Sequence, residues 1–244
     1  MNDSQKKVLG VIGGLGPIAT AHFMELVIRM TDAAIDQEHL DIIIYSYPSI
    51  PDRTGYILDN TKPSPLVPMV NIGKQLAQQG ADYIAIPCLT AHYFYDSLER
   101  DIPVPIINGL DATAAHLRAN GISRVGIMAT DGTVTSGLFH RAIAAHGMTP
   151  ITPSAPRQAD VMHLIYDNIK ANLPPDMERF HAVQQELLQQ GAQAIILGCT
   201  ELSLIKRDYP IGGGFIDAME VLAQQSVILC GGKLKQEYNC LISK

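Results

Sequence analysis

The chain of 244 residues is poor in charge, and it carries fewer basic than acidic residues: 18 Lys and Arg against 24 Asp and Glu, a net charge of −6. No cluster of Lys or Arg offsets this balance. Nucleic-acid phosphates and anionic membrane surfaces both need concentrated positive charge, so neither is an expected partner. No apolar run approaches the ~18 residues that a membrane span requires. The start, Met1-Asn2-Asp3-Ser4-Gln5-Lys6-Lys7, leads straight into strand-like sequence without a signal-peptide core. A cytoplasmic setting is expected. There are only four cysteines (88, 199, 230 and 240), and none form a Cys-x-x-Cys pair. That argues against a zinc ribbon or a thioredoxin-like motif. No metal is expected, and in a reducing compartment all four should be free thiols.

What is present is a core: 47% of residues are apolar, which rules out global disorder, and the length suits one domain or two small ones. Short Ile- and Val-rich runs alternate with amphipathic stretches. Val8–Ile12, Leu40–Tyr45, Tyr83–Ile86, Val104–Ile107, Val125–Met128 and Ala194–Leu197 read as buried strands. Ala19–Ile35, Leu66–Gln79, Gly109–Asn120, Gly137–His146 and Met177–Gln190 read as helices. This alternation predicts an α/β fold with mainly parallel sheets covered by helices on both faces.

The sequence also repeats. Leu76-Ala-Gln-Gln-Gly-Ala-Asp-Tyr-Ile-Ala-Ile-Pro-Cys88 aligns with Leu187-Leu-Gln-Gln-Gly-Ala-Gln-Ala-Ile-Ile-Leu-Gly-Cys199, and seven positions are identical, the final Cys included. Leu9–Gly14 matches Val125–Thr130 more weakly. The spacing is too long for a solenoid and predicts two similar α/β lobes instead. The expected division is residues 1–110 plus 217–244 for the first lobe, with a last helix at about Asp217–Leu229 returning to it, and 111–216 for the second.

In parallel sheets, ligands bind beyond the carboxyl ends of the strands. Four loops are expected there. Gly13-Gly14-Leu15-Gly16-Pro17-Ile18-Ala19-Thr20 formally fits a dinucleotide fingerprint, but the second strand ends Ile44-Tyr45-Ser46-Tyr47-Pro48, without the acid a ribose needs. Backbone N–H groups aimed at a carboxylate are the other use of such a loop. Pro48 and Pro51 stiffen the second loop, which carries Arg53, a side chain suited to gripping a carboxylate by two hydrogen bonds. The third and fourth, Pro87-Cys88-Leu89-Thr90-Ala91-His92 and Gly198-Cys199-Thr200-Glu201, each place a Cys after a buried strand where a helix opens, a setting that favours thiolate. His92, four residues after Cys88, either tunes that thiol, orients the next shell or is structural.

Two facing thiols suit removal of a proton from one face of a carbon and return of a proton to the other, with the carbanion's carboxylate held by hydrogen bonds. Thr90, Thr130, Thr133 and Thr200, with backbone N–H groups, are the candidates for those bonds.

The four loops together resemble the motifs of the aspartate/glutamate racemase superfamily, most closely its aspartate racemase branch, along nearly the whole chain. The resemblance implies a cofactor-independent amino-acid racemase or epimerase with two flavodoxin-like lobes, the active site in the cleft between them, commonly a homodimer. It implies Cys88 and Cys199 as the two acid/base residues and Arg53 on the substrate's side-chain carboxylate. Thr90 and Thr200 would hold the α-carboxylate or amine. Thr130 and Thr133 would belong to the second-lobe loop equivalent to the first glycine loop, and Lys170 would reach the substrate from that lobe. Leu15 and Glu201 complete the expected substrate-binding set. The chain departs from the family pattern at Leu89, where Asn is usual, and at Tyr47, often Asn. These departures leave open a neutral or basic amino acid, or isomerisation or decarboxylation of a dicarboxylate. A non-enzymatic small-molecule binder gives no reason for matched thiols.

Overall fold

The computed structural model describes residues 6–243. Strands β1 (Leu9–Gly13), β2 (Ile42–Ser46) and β3 (Tyr83–Ala85) form one sheet in the order β2-β1-β3. Strands β4 (Arg124–Met128), β5 (Thr149–Ile151), β6 (Ala194–Leu197) and β7 (Phe215–Asp217) form the other, in the order β5-β4-β6-β7. Every pairing within the two sheets is parallel. The β2-β1-β3 order therefore recurs as β5-β4-β6, and the repeated Leu-to-Cys segments coincide with β3 and β6.

The helices are α1 (Pro17–Met30), α2 (Arg53–Leu58), α3 (Leu66–Gln78), α4 (Tyr95–Asp101), α5 (Gly109–Ala119), α6 (Asp131–Thr135), α7 (Leu138–Ala145), α8 (Ala155–Met162), α9 (Met177–Gln189), α10 (Thr200–Asp208) and α11 (Ala218–Leu229). Local chemistry sets many ends. Pro17 starts α1 where no N–H partner is needed. Asn108, Asp176 and Asp217 cap α5, α9 and α11 by accepting from backbone N–H groups at 3.1, 3.2 and 2.9 Å. Gly80 and Gly191, the paired glycines of the repeat, follow α3 and α9 with φ of 96° and 89°, a conformation that costs a side chain but not glycine.

One buried cluster unites the two sheets: Leu9 and Val11 of β1, Val125 and Ile127 of β4, and Met219, Leu222 and Val227 of α11 all belong to it. Separate clusters lie under the outer face of each sheet. Each fully buried Leu, Val or Ile contributes about 1.5–3 kcal/mol, so the shared cluster is what joins the halves. α11 leaves β7 and packs on α1 and α5. The tail then ties both halves: Leu234 bridges Thr31 and Ile242 bridges Ile216, both antiparallel.

Three details differ from expectation. Helix α1 ends at Met30 rather than Ile35, because the Thr31 hydroxyl turns back to the Val27 carbonyl (2.7 Å) and its backbone bridges the tail. Val104–Ile107 makes only a single bridge, Ile106 with Ile84, since Pro103 and Pro105 offer no N–H to a ladder. Strands β5 and β7 escaped the sequence because three residues are too few to show a period, and Pro150 marks β5 as an edge.

Gly198 sits where β6 meets the Cys199 loop. A methyl there would lie 2.6 Å from the Phe139 ring, 3.1 Å from Ala129 Cβ and 3.3 Å from the Met128 carbonyl. Gly198→Ala is expected to destabilise by about 1–3 kcal/mol through overpacking. Calorimetry should show Tm lower by roughly 2–4 °C per kcal/mol; an unchanged Tm would show that Phe139 moves aside freely.

Candidate active site

The carboxyl ends of β3 and β6 release the chain at the same place from opposite sheets. Cys88 precedes a 3-10 helix over Leu89–Phe94, and Cys199 precedes α10. Both cysteines are buried and line one narrow inner cavity of about 10 Å³. Its walls also include Leu15, Arg53, Leu89, Thr90, Thr130, Lys170, Thr200 and Glu201. Thr133 stands directly behind, its hydroxyl donating to Thr90 at 3.0 Å. The structure thus gathers the two cysteines and the expected substrate-binding residues around one cavity, while His92 and Tyr47 do not line it. Asp52, Thr54 and Tyr166 line the cavity as well and were missed. Asp52 and Thr54 flank Arg53 in sequence, and Tyr166 stands one helical turn before Lys170; that adjacency was the available signal.

Arg53 opens α2 behind its N-cap Asp52, whose carboxylate accepts from Gly55 N–H at 2.6 Å. It is not a surface residue paired with Asp52: only 8% of it is exposed. Its Nη1 donates to the Ile50 and Pro51 carbonyls at 3.4 and 3.1 Å, and Nη2 to the Leu15 carbonyl at 3.4 Å. Two of these are long, and the buried Nε has no partner. Burial works to lower its pKa, but neighbouring Cys88, then Asp52 and Glu201, outweigh burial and raise it.

Cys199 has a different environment. Its thiol donates to Glu201 Oε2 at 2.8 Å, and the Thr200 hydroxyl donates to the same oxygen at 3.2 Å. Burial first, and the Glu201 carboxylate second, push this thiol well above its ordinary range, with Lys170 working the other way. The lowering expected of a helix N-terminus is overruled here by desolvation and a like charge. Glu201 Oε1 lies 4.0 Å from Lys170 Nζ, which lies 3.8 Å from Asp52 and 4.2 Å above the Tyr166 ring. Burial alone would lower Lys170; Glu201, Cys199, Tyr166 and Asp52 together raise it. Tyr166 belongs to a π-helical turn, His163–Ile169, and its hydroxyl lies 3.4 Å from Asp52 across the cleft.

Thr90, Thr130 and Thr133 join hydroxyl to hydroxyl in a triangle with sides of 3.0 to 3.1 Å, closing the cleft from both sheets. His92 points away from the Cys88 sulfur. Its Nδ1 lies 3.3 Å from the Cys88 carbonyl, and its Nε2 accepts from Gly109 N–H at 3.2 Å. Accepting at Nε2 puts the proton on Nδ1, and burial lowers the ring's pKa. His92 is a neutral strut between the Cys88 loop and α5.

The glycine loop serves packing. Gly14 N–H is bonded to the Thr20 hydroxyl at 2.8 Å, so it is not free for a carboxylate, and a Cβ on Gly14 would strike Tyr47 N at 2.3 Å. Leu89 is fully buried; it lines the cavity and joins the shared core. Above the inner cavity a vestibule of about 630 Å³ opens between Pro17, Ile18, Ile50, Ile169 and Leu204. Asp52, Arg53, Lys170 and Glu201 border both spaces. Among the described residues no three His, Cys, Asp or Glu side chains converge as metal ligands.

Residues 12–226 match the model of the Asp/Glu/Hydantoin racemase family. The aspartate racemase of Picrophilus torridus superposes with a TM-score of 0.81 at 31% identity, covering 95% of this chain and 97% of that one. The broad specificity amino-acid racemase RacX of Bacillus subtilis (strain 168) is 26% identical over 90% of this chain and 96% of its own. A glutamate racemase from Francisella tularensis, solved with D-glutamate, shares the fold with a TM-score of 0.66 at 17% identity, covering 92% of this chain and 81% of that one. With two parallel sheets, a common cleft and a family match over most of its length, the chain belongs to the Asp/Glu/Hydantoin racemase family and is an isomerase, an amino-acid racemase.

Proposed function

We propose that the protein interconverts L- and D-aspartate, with glutamate as the next candidate, by a two-base mechanism without a cofactor. Cys88 takes the α-proton of one enantiomer while Cys199 delivers a proton to the opposite face; the other enantiomer runs the roles in reverse. The observation that carries this is the meeting of two buried cysteines, one from each sheet, in a single cavity with a cation beside Cys88. The electron pair left on the carbon spreads into the α-carboxylate, where hydroxyls and N–H groups stabilise it. Thr90, Thr130, Thr133 and Thr200 supply hydroxyls.

An acidic substrate follows from Arg53. A buried cation with a partnerless Nε and two long bonds to carbonyls is under-satisfied. A side-chain carboxylate accepting from Nε and the remaining Nη2 hydrogen completes it. The P. torridus aspartate racemase supports the same choice. Leu89 favours a second reading. An apolar wall replaces an amide, and a broad specificity relative matches most of the chain, so a neutral amino acid is the alternative substrate. The lobe division at 110/111 and 216/217, a homodimer and a cytoplasmic setting belong to the proposal as well, on the family resemblance.

In deuterated water without pyridoxal phosphate, aspartate is expected to gain deuterium at its α-carbon as its optical activity decays, with the twenty amino acids run alongside. Exchange in none of them would reject the reaction; exchange in neutral ones alone would select the second reading. Cys88→Ser and Cys199→Ser should each lower racemisation by about 10²-fold or more, the scale on which positioned acid/base groups act. Full turnover in both variants would end the two-base mechanism.

The raised Cys199 pKa gives a separate test. Because Glu201 opposes the thiolate, Glu201→Gln should let Cys199 ionise at lower pH. Mass-spectrometric alkylation profiles should show labelling of Cys199 shifted down the pH axis; a shift upward would contradict the cause assigned.

A further inference from the structure

The two thiols differ in how their protons reach water. Cys199 lines only the inner cavity, and its polar neighbour is Glu201, which borders both that cavity and the vestibule. One Glu201 oxygen holds the Cys199 thiol at 2.8 Å, and the other lies 4.0 Å from Lys170, at the vestibule wall. The torsion that exchanges two carboxyl oxygens is broad and roughly two-fold, so either can face the sulfur. The neighbour of Cys88 is Arg53, a guanidinium that does not give up its proton in proteins. His92 is turned to the Cys88 carbonyl and cannot reach the sulfur's proton.

We propose that Glu201 is the proton relay of Cys199, connecting it with vestibule water while substrate is bound, and that Cys88 has no such relay. The step balances in both directions. The Cys199 S–H bond breaks as an O–H bond forms on the Glu201 carboxylate, leaving thiolate and carboxylic acid. The carboxylic acid then gives its proton to vestibule water, and reversal restores thiol and carboxylate. Glu201, expected from the sequence among the substrate-binding residues, thereby serves the thiol as well.

The consequence is directional. A substrate proton taken by Cys199 is lost to solvent before it can return. A proton taken by Cys88 stays on sulfur until it is handed back. The inference rests on the two-base reading, and the test separates the two. Each pure enantiomer of aspartate, or of whichever amino acid exchanges in the panel above, is incubated in deuterated water to low conversion. The deuterium content of recovered substrate and of product is measured by mass spectrometry after chiral separation. Recovered substrate should be deuterated from the enantiomer whose hydrogen faces Cys199 and remain protiated from the other, while product is labelled when Cys199 delivers the proton. In Glu201→Gln, the ratio of substrate wash-out to conversion for the first enantiomer should fall by about 10²-fold, the scale of a positioned proton-transfer group. A general loss of packing lowers both rates and leaves their ratio, so the ratio reports the relay.

Equal wash-out from both enantiomers of the wild-type enzyme would overturn the proposal without any variant. An unchanged ratio in Glu201→Gln would overturn it as well. Turnover surviving in both Cys→Ser variants would instead remove the two-base reading beneath it.

Discussion

Charged groups bordering one small cavity set the terms for everything around it. A lone buried charge is expensive, and the cost is tolerated only where opposite charge or aligned dipoles surround it. Arg53 and Lys170 on one side of the balance meet Asp52 and Glu201 on the other, and the four border both the inner cavity and its vestibule. Neutral in sum, the quartet is uneven in detail. The cation nearest a thiol stands by Cys88, and the anion nearest a thiol stands by Cys199. The two sulfurs thus sit in unlike surroundings, and burial with the Glu201 carboxylate holds the Cys199 thiol well above its ordinary range.

The scaffold that holds the charges is nearly symmetric. The β2-β1-β3 order recurs as β5-β4-β6, and both cysteines follow the corresponding strand. Symmetric backbones aim two equivalent positions at a shared point. Rigidity comes from the core common to both sheets and from the tail bridging Thr31 and Ile216. The crowding of Phe139, Ala129 and Met128 at Gly198 fixes the backbone one residue before Cys199.

Much of this was legible in the sequence because it is written in local pattern. The repeat from Leu76 to Cys88 and from Leu187 to Cys199 pairs the two strands, their glycine caps and their terminal thiols at once. Helices α3, α5, α7 and α9 appear within a residue of their expected ends because glycine, Asn and Asp punctuate them. Less legible was whatever depends on contacts across the fold. Three-residue strands show no period. The direction of His92 depends on Gly109, seventeen residues away. Asp52 stands next to Arg53 in sequence, yet Asp52 caps α2 and Arg53 turns inward. The Cys199 environment was misjudged for the same reason. A helix N-terminus is visible in sequence, whereas burial and the approach of a Glu201 oxygen are not.

Leu89 brings the symmetric frame and the uneven charges together. It follows Cys88 as Thr200 follows Cys199, so the two thiols are flanked by an apolar side chain on one side and a hydroxyl on the other. Thr200 directs its hydroxyl to Glu201 and so helps hold the carboxylate that faces the sulfur. Leu89 can hold nothing polar; its side chain joins the core near Gly109 and lends its flank to the cavity. A position that looks like a loss when only substrate contacts are counted is at the same time part of the packing that joins the two sheets.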